Sequence, residues 1–164
     1  MRTATALALL LVTLGLGIPS PRASAAPPAL QPADQKVINK YLSDLANHLG
    51  GEIPEEVPQT IRTGDLNHDG TPDVAVLFTI EGPGNGYAQY LAVFLRTNGK
   101  LVPLDHATVG GKLYRTAKLI SIQDGIINLA TTGYSAHDPT CCPTIKGTTR
   151  YQIVDNKLKE ISHP

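Results

Sequence analysis

Two kinds of hydrophobic periodicity divide the chain into a short helical part and a much longer strand-forming part. Over residues 34–49, apolar side chains recur at helical spacing and form one stripe: Val37, Ile38, Tyr41, Leu42, Leu45 and Leu49. Asp34 is a suitable N-cap, and Gly50 and Gly51 end the pattern. The spacing predicts an amphipathic helix over 34–49 that buries one face against the rest of the chain.

From about residue 58 onward, short runs of β-branched and aromatic residues alternate with turn residues. Asn98-Gly99, Asp124-Gly125 and the segment 154–157 are hairpin signals. The pattern predicts eight strands, at 59–64, 73–80, 89–96, 101–108, 114–123, 126–133, 147–154 and 157–161. Short connections make consecutive strands antiparallel neighbours, whereas the eight residues 81–88 are predicted to form a longer loop.

The predicted fold class is therefore α+β, with an N-terminal amphipathic helix packed on a mainly antiparallel β-meander sheet. The sequence leaves open whether this sheet is strongly curved or barrel-like. The chain has 164 residues, a length that indicates one domain.

The first 25 residues have the order of parts of a secretory signal peptide. Arg2 gives a basic start, residues 6–18 form an apolar run, and residues 23–25 are a small-x-small cleavage site. The apolar run is shorter than the ~20 residues that cross a bilayer, so cleavage after Ala25 is expected and no membrane span thereafter. No cysteine lies near this site, so the protein is not expected to be a lipoprotein.

The expected organisation is a signal peptide at 1–25, a proline-rich leader at 26–33 and a single α+β domain at 34–164. Two arginines and no acids leave with the signal peptide, so the balance of 14 basic and 14 acidic residues becomes a formal charge of −2. Such a charge does not favour nucleic acid as a partner. We expect a secreted or periplasmic protein.

The segment GDLNHDGTPD, residues 64–73, places oxygen-bearing side chains at alternating positions around one glycine. In calcium loops, positions 1, 3 and 5 supply side-chain oxygens, position 7 supplies a backbone carbonyl, and a glycine at position 6 permits the sharp turn. The predicted calcium ligands are Asp65, Asn67, Asp69, Thr71 and, at position 9, Asp73. Position 12 is Val76 instead of the glutamate of an EF-hand, so the loop is expected between two strands.

The alternative interpretation of this segment is an Asp/Asn/Gly-rich turn without metal. Against that alternative, three carboxylates in one loop repel each other unless a cation is present. The loop resembles the calcium loops of integrin-type FG-GAP propeller repeats, which read D-x-[DN]-x-[DN]-G-x-x-D between two strands. The resemblance covers residues 64–76 and implies a calcium ion. A propeller needs at least four blades, and the chain has one such loop, so that architecture is not expected.

Cys141 and Cys142 are the only cysteines and are adjacent. Neighbouring Cα atoms lie about 3.8 Å apart, below the usual disulfide range of about 4.4–6.8 Å, so a bond between them forms only with strain. An oxidising compartment favours this vicinal disulfide. The alternatives are buried reduced thiols, a metal site shared with His137, and a redox-active or nucleophilic thiol.

Several segments in this order, GDLNHDGTPDVAVL, QYLAVFL, VGGKLYR, DPTCCPT and TTRYQIVDNKLKEI, resemble exported bacterial proteins of unknown function that carry a DPxCCP signature. The resemblance runs over roughly residues 60–161 and implies a secreted or periplasmic location. It implies no activity.

The function that these patterns favour is a calcium-binding, non-enzymatic binding or accessory domain that acts on an unknown protein or envelope partner. Its loop surfaces, among them Tyr87 and Tyr90, are candidate contacts. The alternatives are a hydrolase that uses the calcium carboxylates or His106 beside Asp105, and a thiol redox sensor. No catalytic residue is assigned.

Overall fold

The structure, a computed structural model, describes residues 30–161. One helix, α1 (Pro32–His48), precedes eight strands: β1 (Thr60–Gly64), β2 (Asp73–Gly82), β3 (Gly86–Thr97), β4 (Lys100–Gly111), β5 (Arg115–Gln123), β6 (Ile126–Gly133), β7 (Ile145–Val154) and β8 (Lys157–Ile161). The predicted signal peptide and most of the predicted leader lie outside the described residues. Within 30–161, no helix combines the length and apolar character needed to cross a membrane.

The eight strands form one antiparallel sheet in chain order, which confirms the β-meander. β4 and β5 share a single residue pair, Gly111 with Arg115, so the sheet turns a corner there. Beyond this corner β5 packs against β1 and β8 packs against β4, and the two halves of the sheet face each other. Among the described residues β1 and β8 do not pair with each other, so the sheet does not close into a barrel, which answers the question that the sequence left open.

The sequence of β2 is an almost continuous apolar run because a hydrophobic core covers each of its two faces. Val74, Val76 and Phe78 face α1, whereas Ala75 and Leu77 face the second half of the sheet. Successive side chains of a strand point to opposite faces, so a strand covered on both faces loses the alternation of apolar and polar residues. The helix therefore forms a third layer, outside β2, β3 and β4.

The helix begins two residues earlier than its apolar stripe predicts. Pro32 is the first helical residue, a position where proline is favoured because its fixed φ suits the helix and no N–H is required there. Asp34 lies within the first turn and accepts a hydrogen bond from the Gln31 N–H at 3.2 Å, so its prediction as the N-cap was wrong by one turn.

The long loop predicted over residues 81–88 is also wrong, because β2 extends to Gly82 and β3 starts at Gly86. Only residues 83–85 connect the two strands. Gly84 and Asn85 have φ angles of 71° and 57°, and this left-handed backbone suits a tight turn between Gly82 and Gly86, which pair with each other.

Because the strands run up and down, their connections alternate between two ends of the sheet. One end, called the turn end here, carries residues 65–72, 98–99, 124–125 and 155–156. The opposite end, called the loop end, carries residues 83–85, 112–114 and 134–144, and the C-terminus of α1 reaches it beside β2. The predicted calcium loop and the cysteine pair therefore lie at opposite ends.

Candidate functional site

The loop between β1 and β2 winds around three of the predicted calcium ligands. The two carboxylate oxygens of Asp65 accept hydrogen bonds from the backbone N–H groups of Asp69 (3.2 Å) and Gly70 (2.8 Å). Asn67 Oδ1 accepts a second contact from the Asp69 N–H at 3.1 Å, and Asp69 Oδ1 accepts one from the Thr71 N–H at 2.7 Å. Each side chain thus holds the backbone that follows it, and the chain closes into a compact loop.

The oxygens of Asp65, Asn67 and Asp69 suit a hard cation. Within residues 30–161, no lysine, arginine or histidine forms an ion pair with either carboxylate. A carboxylate offers about four lone-pair sites, and the backbone bonds occupy only some of them. The Asn67 amide donates to Asp69 Oδ2 at 3.0 Å, and this bond together with the Thr71 N–H lowers the pKa of Asp69. The donor set fits calcium, which binds carboxylate, amide and backbone oxygens together.

Asp73 occupies a different position from the other predicted ligands, because it is fully buried at the start of β2. Its Oδ2 accepts the Leu66 N–H at 2.9 Å and its Oδ1 accepts the Arg96 N–H at 2.8 Å. Burial raises the pKa of Asp73, and the nearby charges of Asp69 and Asp65 add to the rise. Asp73 thus ties the loop to β3, and its part as a calcium ligand stays a prediction.

Thr71 is half-buried and reaches the network through its N–H group. The described part of the chain contains no group of three or more His, Cys, Asp or Glu residues arranged to hold a metal ion. A calcium site here would therefore take oxygens from Asn67 and from the backbone as well as from the carboxylates. The predicted ligand set of this loop stays a prediction.

Arg96 connects the loop to α1, a contact that the sequence analysis missed. Its guanidinium donates to both carboxylate oxygens of Asp34, at 2.8 and 3.1 Å, and also to the carbonyls of Pro72 and Gly99, each at 3.3 Å. The hydrogen bonds from Arg96 to Asp34 hold the pKa of Asp34 below its ordinary value. One side chain thus joins the helix, the end of the loop and the β3–β4 turn.

The loop also rests on the β5–β6 turn. The His68 ring packs so closely against Gly125 that a Cβ atom there would lie 2.6 Å from Nε2. Gly125 has a φ of 73°, which glycine adopts without strain. Contacts on two sides therefore hold the loop in place at the turn end.

Cys141 and Cys142 form a disulfide in the β6–β7 loop at the opposite end, which confirms the vicinal pair. Both residues are exposed, so the alternative of buried reduced thiols is wrong. The Cys142 N–H donates to the Pro139 carbonyl at 2.9 Å, and the Tyr134 hydroxyl donates to the Thr140 carbonyl at 2.8 Å.

Asp138 holds the two sides of this loop together. Its carboxylate accepts the N–H and hydroxyl of Ser135, at 2.8 and 2.7 Å, and the N–H and hydroxyl of Thr144, each at 2.9 Å. These bonds, led by the Ser135 N–H, lower the pKa of Asp138 to about 2. The aspartate of the DPxCCP segment is therefore structural.

This arrangement predicts how the β6–β7 loop responds to acid. The carboxylate is favoured in the folded loop, so its contribution is complete above the ordinary pKa of 3.8 and is lost as the pH falls through about 2. We expect the amide signals of Ser135 and Thr144 to shift together with a midpoint near 2 in an NMR pH titration. Asp138→Asn should abolish that transition, and a wild-type midpoint near 3.8 would contradict the assignment.

His106 and Asp105 do not form a catalytic pair, because adjacent strand residues point to opposite faces. His106 Nδ1 lies 3.0 Å from the Tyr41 hydroxyl on the α1 side. Asp105 accepts the Leu158 N–H at 2.8 Å on the other side. The hydrolase alternative thus loses its proposed histidine–carboxylate contact.

Exposed apolar side chains are concentrated at the loop end. Leu113 and Ile145 are 60% and 54% exposed, and the others there are Leu49, Tyr87 and Tyr114. At the turn end, within the part of the chain that the structure describes, Val102 and Val154 are large, apolar and exposed, whereas the exposed Val57 lies before β1 and the exposed Ile120 lies within β5. The two ends therefore differ in chemistry as well as in the length of their connections.

Comparison of the chain with protein-family models, with curated proteins and with solved structures finds no match. The resemblances drawn from the sequence remain predictions.

Proposed function

We propose that this protein is an exported, calcium-stabilised domain without enzymatic activity, which binds a protein or envelope partner through its loop end. One observation carries the proposal: residues 65–71 close around the oxygens of Asp65, Asn67 and Asp69, and no cation within the described residues neutralises them. The predicted signal peptide supports a secreted or periplasmic location.

Calcium is the ion that this loop suits best. Magnesium prefers a small octahedral shell that keeps several waters, whereas calcium accepts six to eight oxygens in a flexible cage. Extracellular calcium modules bind with Kd values of about 10⁻⁴–10⁻³ M, which suffices where calcium is abundant. Since the loop contacts β3 through Asp73 and α1 through Arg96, an ion there would stabilise the whole turn end.

The loop end supports the binding role. It carries five of the exposed large apolar side chains and the disulfide, whereas two such side chains lie at the turn end. Apolar groups grouped on one part of a surface mark interaction sites more often than scattered ones do. A rigid sheet that presents loops at one end is a common arrangement for recognition.

Calcium should raise the melting temperature, and this rise should depend on the loop carboxylates. With a Kd near 10⁻⁴ M, about 10 mM calcium stabilises the folded state by about 2.7 kcal/mol, which is roughly 5–10 °C. Asp65→Asn and Asp69→Asn keep an oxygen acceptor for the backbone and remove charge, so both should lose most of the rise. Melting curves in calcium and in chelator measure it.

Asp44→Asn is the matched control, because Asp44 is an exposed carboxylate on α1. It should keep the full calcium-dependent rise. An equal rise in all four proteins would show that calcium acts elsewhere, and the absence of any rise in the wild type would leave the loop a metal-free turn.

The loop-end surface is tested by selecting random phage-displayed peptides on the purified protein and mapping bound peptides by NMR. We expect them to bind the loop end and to lose binding to a Leu113→Asn/Ile145→Thr variant. Val102→Thr/Val154→Thr, which changes exposed apolar residues at the turn end, should keep binding. Peptides that bind equally to both variants, or a selection that yields none at the loop end, would contradict the role.

A further inference from the structure

An open groove of about 570 Å³ lies at the loop end, between the segment that follows α1 and the β2–β3 turn. Its walls are Gly50–Glu52 on one side and Glu81–Tyr87 on the other. The volume lies within the range of small-ligand sites, about 300–1,000 Å³. Much of the wall is glycine, so backbone and a few side chains determine what can bind.

Two glutamates lie side by side on the wall of this groove. Glu52 and Glu81 form an isolated antiparallel pair in which each N–H donates to the other's carbonyl at 2.8 Å. Directly opposed residues of this kind have Cα atoms about 5.5 Å apart and side chains on the same face. Both side chains are exposed, and within residues 30–161 neither forms an ion pair.

Like charges directly opposite each other are destabilising, so this pair gains from a cation bound between them. The C-terminus of α1 adds to the attraction, because the helix ends at His48 just before the groove and its dipole is negative there. The ammonium of Lys112 donates to the carbonyl of Asn85 on the groove wall at 3.1 Å and, within residues 30–161, forms no ion pair with either glutamate.

The groove also suits the apolar part of a cationic side chain. A smaller depression of about 180 Å³ adjoins it, lined by Leu49, Ile80, Tyr87 and Tyr90 among others. Lysine and arginine carry apolar stems that pack on such surfaces while the charged group reaches its partners. Tyr87 is 36% exposed and lines both depressions, and an aromatic ring at such a position can attract a cation.

We infer that the groove binds a lysine or arginine side chain of a partner polypeptide, with its charged group between Glu52 and Glu81 and its stem against Tyr87. This inference rests on the proposed binding role of the loop end and adds the chemistry of the segment recognised there. The observations that carry it are the groove, the opposed glutamates without a cation, and the adjoining apolar surface.

The test is an NMR titration of the purified protein with short acetylated alanine-based peptides that contain lysine, arginine or glutamine. We expect the lysine and arginine peptides to shift the amide signals of Gly50–Glu52 and Glu81–Tyr87, with Kd values of about 0.1–1 mM. The glutamine peptide should leave these signals unchanged. Methylamine, a cation without the apolar stem, should bind about tenfold more weakly than the lysine peptide, because it cannot pack against Tyr87.

The decisive variant is Glu52→Gln/Glu81→Gln, which keeps side-chain size and should weaken peptide binding by about tenfold or more. Glu55→Gln/Glu56→Gln is the matched control, since it removes the same charge from exposed residues close in the chain that do not line the groove. This control should change the Kd by less than about twofold.

Equal weakening in both variants, no shift with any cationic peptide, or methylamine binding as tightly as the peptides would each overturn the inference. Failure of the proposed binding role can be distinguished from failure of the groove inference. If selected peptides bind the loop end but are indifferent to Glu52→Gln/Glu81→Gln, the groove inference fails alone. If no peptide binds the loop end, the binding role fails. The calcium-dependent rise in melting temperature depends on the loop at the turn end. It is therefore independent of the peptide-binding role and of the groove inference.

Discussion

Replacing Asp73 by alanine is expected to lower the free energy of unfolding by about 3 kcal/mol or more, the largest loss from any single change in the loop. Asp73 is fully buried, and its two oxygens accept the N–H groups of Leu66 and Arg96. Alanine leaves both donors without a partner, and each unsatisfied buried group costs about 1–3 kcal/mol. Urea unfolding, followed by circular dichroism, measures the loss.

The same measurement in chelator separates this structural role from calcium binding. The loss at Asp73→Ala should persist without calcium, because the two hydrogen bonds do not depend on an ion. Asp69→Ala is the comparison, since Asp69 is exposed and its removal without calcium should cost less than about 1 kcal/mol. Equal losses for the two variants in chelator would contradict the buried tether.

Replacing Arg96 by methionine should also cost about 3 kcal/mol, because it leaves the Asp34 carboxylate buried with a single remaining hydrogen bond, from Gln31. Asp34→Asn should cost less, about 1–2 kcal/mol, since Arg96 keeps the carbonyls of Pro72 and Gly99. The double variant should lose less than the two single losses combined, by about 1–2 kcal/mol. Urea unfolding of the wild type, the two single variants and the double variant completes this double-mutant cycle.

The pH dependence gives a second test of this ion pair. Arg96 holds the pKa of Asp34 below its ordinary value of 3.8, so the stabilisation is complete above that pH and declines as the pH falls further. Arg96→Met should remove this part of the acid dependence. Additive losses in the cycle, together with an unchanged acid dependence, would show that the contact contributes little to stability.

The strand pattern could be predicted from the sequence because each strand follows a local rule. Hairpin signals at Asn98-Gly99 and Asp124-Gly125 both mark turns, and the strands beside them lie within a few residues of the predictions. The corner at Gly111 and Arg115 could not be predicted in the same way. It depends on how the two halves of the sheet pack, and that packing is what excludes a closed barrel.

Part of the candidate site could also be predicted, because its spacing is a local feature of the sequence. The alternation of Asp65, Asn67 and Asp69 is local, and the structure brings these three side chains together. The contact of Arg96 with Asp34 joins residues 62 positions apart, and a single sequence gives no signal for it. The pairing of Glu52 with Glu81 was missed for the same reason, although Tyr87 and Tyr90 had indicated this part of the surface.

The most direct test of the central claim is a calorimetric titration of the purified protein with calcium, with magnesium and the Asp65→Asn variant alongside. We expect one calcium per chain with a Kd of about 10⁻⁴–10⁻³ M, much weaker heat with magnesium, and loss of binding in the variant. No heat from millimolar calcium, or equal heat in wild type and variant, would contradict the claim. In that case residues 65–73 form a turn held by their own hydrogen bonds, and the loop end would be the only remaining basis for a function.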